Sequence, residues 1–262
     1  MPMIHNSPLR DTTRQRFELK YVISEHKAGV IAALFKPYLV PDPNAKGRIE
    51  YPIQSIYLDS PTLALYQNSV DGRRNRFKLR IRGYGINGNG RRFLEIKRRV
   101  DRTVQKERVE VSPDDFNSLL AQNYDIFKYN HDLNEHENLA LLHFTELASR
   151  ISASPMVDVT YQREAYVGKH NEPVRITFDR SITCAPITST HSSGCQSPVP
   201  ICAVIPAPVV LEIKFTDTFP VWIRAIVQQC DLQHQSFCKY VRAVDALQGR
   251  GMQRDAHYGR SA

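Results

Sequence analysis

Residues 76–82 alternate basic and apolar side chains in a way that limits how they can fold. They read Arg-Phe-Lys-Leu-Arg-Ile-Arg, so four cations alternate with three apolar residues. A β-strand places successive side chains on opposite faces, and a strand here carries all four cations on one face. Because like charges on one face repel one another, the pattern predicts an anion, and most simply a polyanion, against it. The alternative is a solvated edge strand that its charges protect from aggregation.

The same alternation recurs along the chain, with Glu and Asp mixed among Lys and Arg on the polar face. The segments are residues 16–21, 55–59, 94–99, 106–111, 175–179 and 211–215. One apolar face is usual for an antiparallel sheet, and helices predicted at 24–39, 61–72, 136–150, 218–230 and 236–247 would cover that face from outside. The sequence therefore predicts an α+β fold: a closed antiparallel β-barrel that forms a tunnel, with charges inside and helices outside.

The net charge supports an anionic ligand, and the distribution of charge along the sequence indicates where that ligand binds. The chain of 262 residues has a formal net charge of +8. Residues 73–108 contain fourteen Lys or Arg and three Asp or Glu, so this stretch alone exceeds the excess of the whole chain. A localised excess of this kind indicates a binding site for anions rather than a general solubility charge.

Composition predicts one domain at residues 14–250, with a disordered tail at 1–13, a frayed tail at 251–262 and an inserted loop at 184–208. No apolar run approaches the roughly 20 residues of a membrane span, and the N-terminus has no apolar signal region, so we expect a cytoplasmic protein. Five cysteines without a CxxC pair argue against a disulfide framework. Neither a Walker motif nor a Rossmann fingerprint is present.

Nine segments in order resemble the VTC domain, the polyphosphate polymerase catalytic domain of the CYTH-like triphosphate tunnel metalloenzyme superfamily. They are RFELKY (16–21), SIYLDS (55–60), RFKLRIRGYG (76–85), FLEIKRR (93–99), KER (106–108), YQREAY (161–166), RITFD (175–179), VLEIKF (210–215) and FCKYVRA (237–243). No single segment is specific to this family, but the occurrence of all nine in order over nearly the whole chain is specific to it.

The resemblance implies a tunnel of about eight antiparallel strands and a phosphotransferase. The implied reaction transfers the γ-phosphoryl group of ATP onto a growing polyphosphate chain and releases ADP, with Mn²⁺ or Mg²⁺ as cofactor. ATP and polyphosphate are then the partners, and no nucleic acid is expected as the main one. Neither the oligomeric state nor a membrane partner can be predicted.

The resemblance also assigns roles to residues, motif by motif. Glu212, in LEIK, would be the metal ligand, and Tyr161 would orient the terminal phosphate. The implied catalytic cations are Lys20, Arg80, Arg82, Arg163 and Lys239. The implied substrate-binding residues are Lys78, Lys97, Lys106, Arg108 and Tyr161.

Two positions depart from the pattern. Triphosphate-hydrolysing relatives begin with ExExK, whereas Arg16 stands here at the place of the first glutamate, with Glu18 and Lys20 after it. A first strand with fewer carboxylates for a metal fits the polymerase branch of the superfamily better than the hydrolysing branch. Cys238 precedes Lys239 where the family usually has Ser, so a hydroxyl donor becomes a weaker thiol donor.

Other interpretations stay open. The chain could be a metal-dependent triphosphatase of the same superfamily, or a module that binds polyphosphate without catalysis. A nucleic-acid platform is less consistent with the sequence, since such platforms place aromatic residues among the cations. Glu212 and Lys214 could be a surface ion pair, Asp59 could cap a helix, and Tyr57 and Tyr161 could simply line the barrel.

Overall fold

The computed structural model describes residues 16–85, 90–101, 103–112, 115, 116, 119, 133–187, 199, 200 and 208–249. Both predicted tails and most of the predicted loop at 184–208 lie outside the described residues. None of the helices in the described ranges is long and apolar enough to cross a membrane.

Ten strands and five α-helices lie in these ranges. The strands are β1 (Arg16–Ile23), β2 (Leu39–Pro41), β3 (Glu50–Asp59), β4 (Arg76–Tyr84), β5 (Arg92–Val100), β6 (Thr103–Val111), β7 (Ser154–Gly168), β8 (Val174–Pro186), β9 (Val199–Pro200) and β10 (Val209–Thr216). The helices are α1 (Glu25–Phe35), α2 (Ala64–Val70), α3 (Glu135–Arg150), α4 (Val221–Gln229) and α5 (Lys239–Leu247).

The strands form one antiparallel sheet in the order β1-β10-β8-β7-β3-β4-β5-β6, with β2 paired to β7 and β9 to β8. The sheet is curled but open, because β1 and β6 end the order without pairing to each other in the described part of the chain. The predicted closed barrel is therefore wrong in this respect. Lys97 of β5 nevertheless lies 3.4 Å from Glu18 of β1, so side chains bring the two ends of the sheet together.

Two apolar cores cover the outer face of the sheet, as the alternation predicted. α3 packs on β4, β5 and β6 through residues such as Phe144 and Leu141, which meet Leu79 and Leu94. α1 and α4 cover β1, β8 and β10 in the same way, with Ile31 and Ile223 against the strands. Burial of these side chains fixes which face of each strand points inward.

The last helix lies inside the curl, which corrects the prediction that all helices lie outside. Tyr240 and Val244 of α5 share an apolar cluster with Val157 and Tyr161, which are on the inner face of β7, and with Tyr57 of β3. The rings of Tyr57 and Tyr240 stack with centroids 5.0 Å apart. The inner face is therefore apolar on β3 and around Val157 and Tyr161 of β7, where α5 fills it, and charged at Arg163 of β7 and on the other strands.

Element boundaries differ from the predictions where turns override local pattern. α2 begins at Ala64 rather than Pro61, after Leu63 adopts a left-handed φ of 58°. Asp59 caps this helix as the sequence suggested: its carboxylate accepts hydrogen bonds from the backbone N–H groups of Leu65 and Tyr66, both at 2.8 Å. β8 continues to Pro186, so the first residues of the predicted loop are strand.

Candidate phosphate-binding site

The strand register gathers the inward cations into rows. Arg80 lies opposite Glu95, and Lys78 lies opposite Lys97. Lys97 is in turn opposite Lys106 on the next strand. Because directly opposed residues of antiparallel strands point to the same side, these side chains share one inner surface.

Glu95 is the centre of the first charge cluster. Its side chain is 1% exposed, and Arg80 Nη2 and Lys106 Nζ each lie 2.6 Å from its carboxylate oxygens. Arg82 Nε is 3.8 Å away. Burial alone would raise the pKa of Glu95, but the three cations outweigh it and hold that pKa well below the usual range. Glu95 is thus a permanent anion among cations.

Asp179 is the centre of the second cluster. It is fully buried and accepts a bidentate pair of hydrogen bonds from Arg163, at 2.6 Å from Nε and 2.7 Å from Nη2. Lys239 at the start of α5 donates to the same carboxylate at 2.6 Å. Burial would raise the pKa of Asp179, yet Arg163 and Lys239 bring it down to about 2. The start of α5 is therefore tied to the sheet through charge.

The third cluster contains the two carboxylates nearest to a metal-binding arrangement. Lys214 Nζ lies 2.5 Å from Glu212 and 3.8 Å from Glu18, so one ammonium group touches both carboxylates. Lys20 Nζ is 2.9 Å from Glu18 and also donates to the Phe237 carbonyl at 3.2 Å. Burial opposes ionisation of Glu212, but Lys214, Lys20 and further cations lower its pKa well below the usual range.

The donor set fits Mn²⁺ or Mg²⁺ bound together with phosphate. Such ions are commonly held by one or two carboxylates, waters and substrate phosphate oxygens. Glu18 and Glu212 supply two carboxylates that already share a cation. The described residues contain no group of three His, Cys, Asp or Glu side chains that could hold a metal by themselves. A metal here would depend on the anion that it accompanies.

Tyr161 joins the charge clusters. Its buried hydroxyl accepts a hydrogen bond from Arg82 Nη2 at 3.3 Å, and Lys239 Nζ lies 4.7 Å from its ring centroid. Burial raises the pKa of Tyr161, but the nearby cations, led by Arg163 and Arg82, produce a net decrease. The hydroxyl is therefore held in a strongly positive environment.

Several buried polar atoms at this surface lack a hydrogen-bond partner in the described residues. They include Thr177 Oγ1, Ser55 Oγ and Arg82 Nε. Thr177 is opposite Glu212 in the register, and Ser55 is opposite Arg82. Unsatisfied buried polar groups are costly and rare, and phosphate oxygens or water between the clusters would satisfy them.

Two predicted substrate-binding residues lie apart from the charge clusters. The guanidinium of Arg108 stacks over the ring of Phe93 at 3.6 Å, and no carboxylate of the described residues forms an ion pair with it. Lys78 lies near Cys238. Burial would raise the pKa of the Cys238 thiol, but Lys78, together with other causes, lowers it overall. Phe93 is itself on the inner face beside Arg82, so aromatic residues are not confined to the outer face.

The carboxylate partners are what sequence reasoning missed. Glu95 and Asp179 stand on the predicted inward face, but nothing in the sequence indicated that each neutralises two or more particular cations. Lys214 was likewise considered only as a surface partner of Glu212. The signal was the alternation itself, since FLEIK and RITFD each place an acid inward. Only the register between the strands determines which acid pairs with which cation.

Together, the curled antiparallel sheet and its inward cations define a tunnel-like surface whose charge suits a phosphate-bearing anion. The chain belongs to the VTC domain family, whose model matches residues 15–248. This membership confirms the resemblance and supports an enzyme that acts on phosphates.

Solved structures show the same fold at low identity. A putative adenylate cyclase from Bacillus halodurans has a TM-score of 0.51 at 9% identity, covering 86% of this chain and 95% of its own. The putative adenylyl cyclase HpAC1 from Hippeastrum, described as having a dominant triphosphatase activity, also has a TM-score of 0.51, at 12% identity over 88% of this chain and 96% of its own. No curated protein sequence matches the chain.

Proposed function

We propose that the protein is an ATP-dependent polyphosphate polymerase that transfers the γ-phosphoryl group of ATP onto a polyphosphate chain held on the inner face. The observation that carries this proposal is the excess of inward positive charge. Eight basic side chains each lie within 3.8 Å of one of only four carboxylates, Glu18, Glu95, Asp179 and Glu212. The eight are Lys20, Arg80, Arg82, Lys97, Lys106, Arg163, Lys214 and Lys239.

The chemistry needs positioning and charge neutralisation more than covalent help. In the proposed step, a terminal oxygen of the polyphosphate attacks the γ-phosphorus of ATP, the bond to the β-phosphate oxygen breaks, and ADP leaves. Arg80, Arg82 and Lys106 surround one position on the inner face and can neutralise charge on the transferring group. Arg163 and Lys239 can hold the neighbouring phosphates. ATP and the polyphosphate chain are then aligned before they react.

Glu212 and Glu18 are the residues that would hold Mn²⁺ or Mg²⁺. The bound ion supplies further neutralisation of phosphate oxygens and helps to fix their orientation. Tyr161, whose hydroxyl is fixed by Arg82, can donate to a phosphate oxygen beside Lys239. The family resemblance implied these roles for Glu212 and Tyr161, and Glu18 is added to the proposal because Lys214 contacts both its carboxylate and that of Glu212.

A triphosphatase is the second candidate. The described activity of the Hippeastrum protein favours it, because that protein shares the fold. Arg16 argues against a triphosphatase, because it occupies the position at which hydrolysing relatives have a glutamate. Arg16 lies opposite Thr216 at the outer end of β1. Only Glu18 and Glu212 are then left for a metal.

Product analysis separates the candidates. Incubation of the purified protein with ATP and Mn²⁺, followed by separation of phosphate chains, is expected to yield polymer and ADP. Free hydrolysis of tripolyphosphate without polymer would overturn the polymerase and support the triphosphatase.

Substitution of the proposed metal ligand separates enzyme from binding module. We expect Glu212→Gln to reduce turnover by about 10³-fold, since the substitution removes the carboxylate proposed to hold the metal ion that neutralises phosphate oxygens, while tripolyphosphate still binds. Glu25→Gln is the matched control, because the exposed Glu25 carboxylate pairs with Arg180, which belongs to none of the three charge clusters, and it should keep full activity. Unchanged turnover in Glu212→Gln would contradict the assignment.

A further inference from the structure

The end of the β4–β5 hairpin opposite its turn carries an arginine cluster that the proposed reaction does not use. Arg76 and Arg99 are directly opposed across the two strands, although like charges in that position are destabilising. Arg98 is adjacent on the outer face, and Arg150 ends α3 beside it. We call these four residues, Arg76, Arg98, Arg99 and Arg150, the arginine end.

Two adjoining cavities meet at the arginine end. One, of about 430 Å³, lies on the α3 side and is also lined by His143 and Glu146. The other, of about 450 Å³, lies on the loop side with Arg74 and Asp101. Arg76 and Arg99 line both cavities, so the two cavities adjoin at the strand ends.

The arginine end is not neutralised by the protein itself. None of its four guanidinium groups lies within 4.0 Å of a carboxylate in the part of the chain that the structure describes. Arg99 Nε donates instead to the Asp101 carbonyl at 2.8 Å, and Arg76 donates to the Arg73 carbonyl. These bonds orient the side chains without cancelling their charge. The inner charge clusters differ, because each of their cations already contacts a carboxylate.

The arginine end continues the inner face. Arg76 precedes Lys78 by two residues and Arg99 follows Lys97 by two, so the opposed pair Arg76–Arg99 lies next to the opposed pair Lys78–Lys97. The two rows are about 7 Å apart along the strands. Arg98 and Arg150 then extend the positive surface around the strand ends to the α3 side.

We propose that the arginine end binds the growing polyphosphate chain as it leaves the inner face and guides it over the ends of β4 and β5 towards α3. This inference rests on the proposed function, because it takes the polymer as the ligand. Guanidinium groups suit it, since each can contact phosphate oxygens bidentately and stays charged. Among the described residues, the rings that line these cavities are those of Phe77, which packs on the outer core, and His143, which is bonded to Glu107. A bare phosphate chain therefore fits better than a nucleic acid, whose bases need stacking partners.

The test compares a short and a long phosphate chain on one variant. Arg98→Ala/Arg150→Ala removes the half of the arginine end that lies farthest from the reaction. We expect affinity for long-chain polyphosphate to fall about tenfold while affinity for tripolyphosphate is unchanged, and polymer made from ATP to become shorter. The matched control is Arg48→Ala/Arg224→Ala, which removes two exposed arginines elsewhere and should leave all three measurements as in the wild type.

Equal losses for both ligands, or equal losses in the control variant, would overturn the proposal. A single-stranded oligonucleotide that competes as well as polyphosphate would also overturn it, since the surface would then be a general polyanion site. Failure of the proposed function is seen separately: the wild-type protein would make no polymer from ATP, whatever the variant does to binding. Circular dichroism and urea unfolding confirm that the variant is folded.

Discussion

Lys97 and Lys106 are two lysines of the inner face whose positive charge their neighbours stabilise only in part. Burial lowers the pKa of each, and the carboxylates that they contact, Glu18 and Glu95, restore only part of the loss. Both pKa values come to about 8. A bound phosphate would supply the missing counter-charge and raise these pKa values again.

Anion binding should therefore depend on pH in the range around 8. Below it both ammonium groups are charged, and as the pH rises through about 8 they lose their protons and the inner face loses positive charge. We expect tripolyphosphate affinity to decrease between about pH 7 and pH 9, measured by titration calorimetry. Binding near pH 8 should also take up protons, which appears as a dependence of the measured enthalpy on the buffer.

The double variant Lys97→Arg/Lys106→Arg is the control for this prediction. Its guanidinium groups stay charged throughout the range, so any remaining pH dependence belongs to the ligand. Profiles of the same steepness in variant and wild type would show that these lysines do not titrate with binding.

Sequence reasoning could predict the direction of these side chains but not their partners. Alternation alone puts Arg80 and Lys97 on the inner face, because a strand has a period of two. That Arg80 contacts Glu95, or Arg163 contacts Asp179, depends on the register between strands. Register is set by pairing between segments distant in sequence, and no local pattern contains it.

At the scale of elements, α5 and α2 form a unit that holds the inner apolar cluster in place. The Tyr240 hydroxyl of α5 donates to the Asp59 carboxylate that caps α2, and the Tyr66 hydroxyl of α2 donates to Asp245 of α5 at 2.6 Å. These bonds cross directly between the two helices. They fix where α5, and with it Lys239, enters the curl.

Removal of the shared cap should loosen this unit. Asp59→Ala leaves three backbone N–H groups and one tyrosine hydroxyl without their acceptor, and we expect the free energy of unfolding to decrease by about 3 kcal/mol, measured by urea denaturation. Asp59→Asn keeps one acceptor oxygen and should lose clearly less. Equal stability of Asp59→Ala and wild type would show that the cap contributes little.

The sequence predicted the capping role of Asp59 but placed α5 outside the sheet. The cap is local, since a carboxylate just before a helix can reach its first N–H groups. The position of α5 is not local: it depends on Val157, Val159 and Tyr161 making the inner face of β7 apolar. In the sequence those residues differ little from an ordinary half-buried strand.

At the scale of the whole molecule, the open sheet leaves β1 and β6 as its edges. Contacts across the opening are made by side chains: Lys97 reaches Glu18 of β1, which also contacts Lys20 and Lys214. The sequence predicted closure because it predicted charges inside and edges that need protection. Only the backbone pairing shows that the two edges are not joined by hydrogen bonds.

An anion on the inner face should connect the two edges. In hydrogen exchange, we expect β1 and β6 to exchange faster than the central β7 and β8 without ligand. Tripolyphosphate at roughly 100 times its Kd should then stabilise β1, β5 and β6 against opening by about 2.7 kcal/mol. Protection confined to β7 and β8 would contradict an anion that bridges the opening.

The carboxylates inside the curl have a consequence for motion. Each cation of the three charge clusters already has an anionic partner when no ligand is present, as Arg163 and Lys239 have Asp179. A phosphate that arrives replaces one partner by another, and when it moves on the carboxylate can return. None of the cluster cations is then left without a counter-charge between the two states, which lowers the barrier to movement of the phosphate. A surface of this kind can hold a highly charged chain firmly and still let it slide.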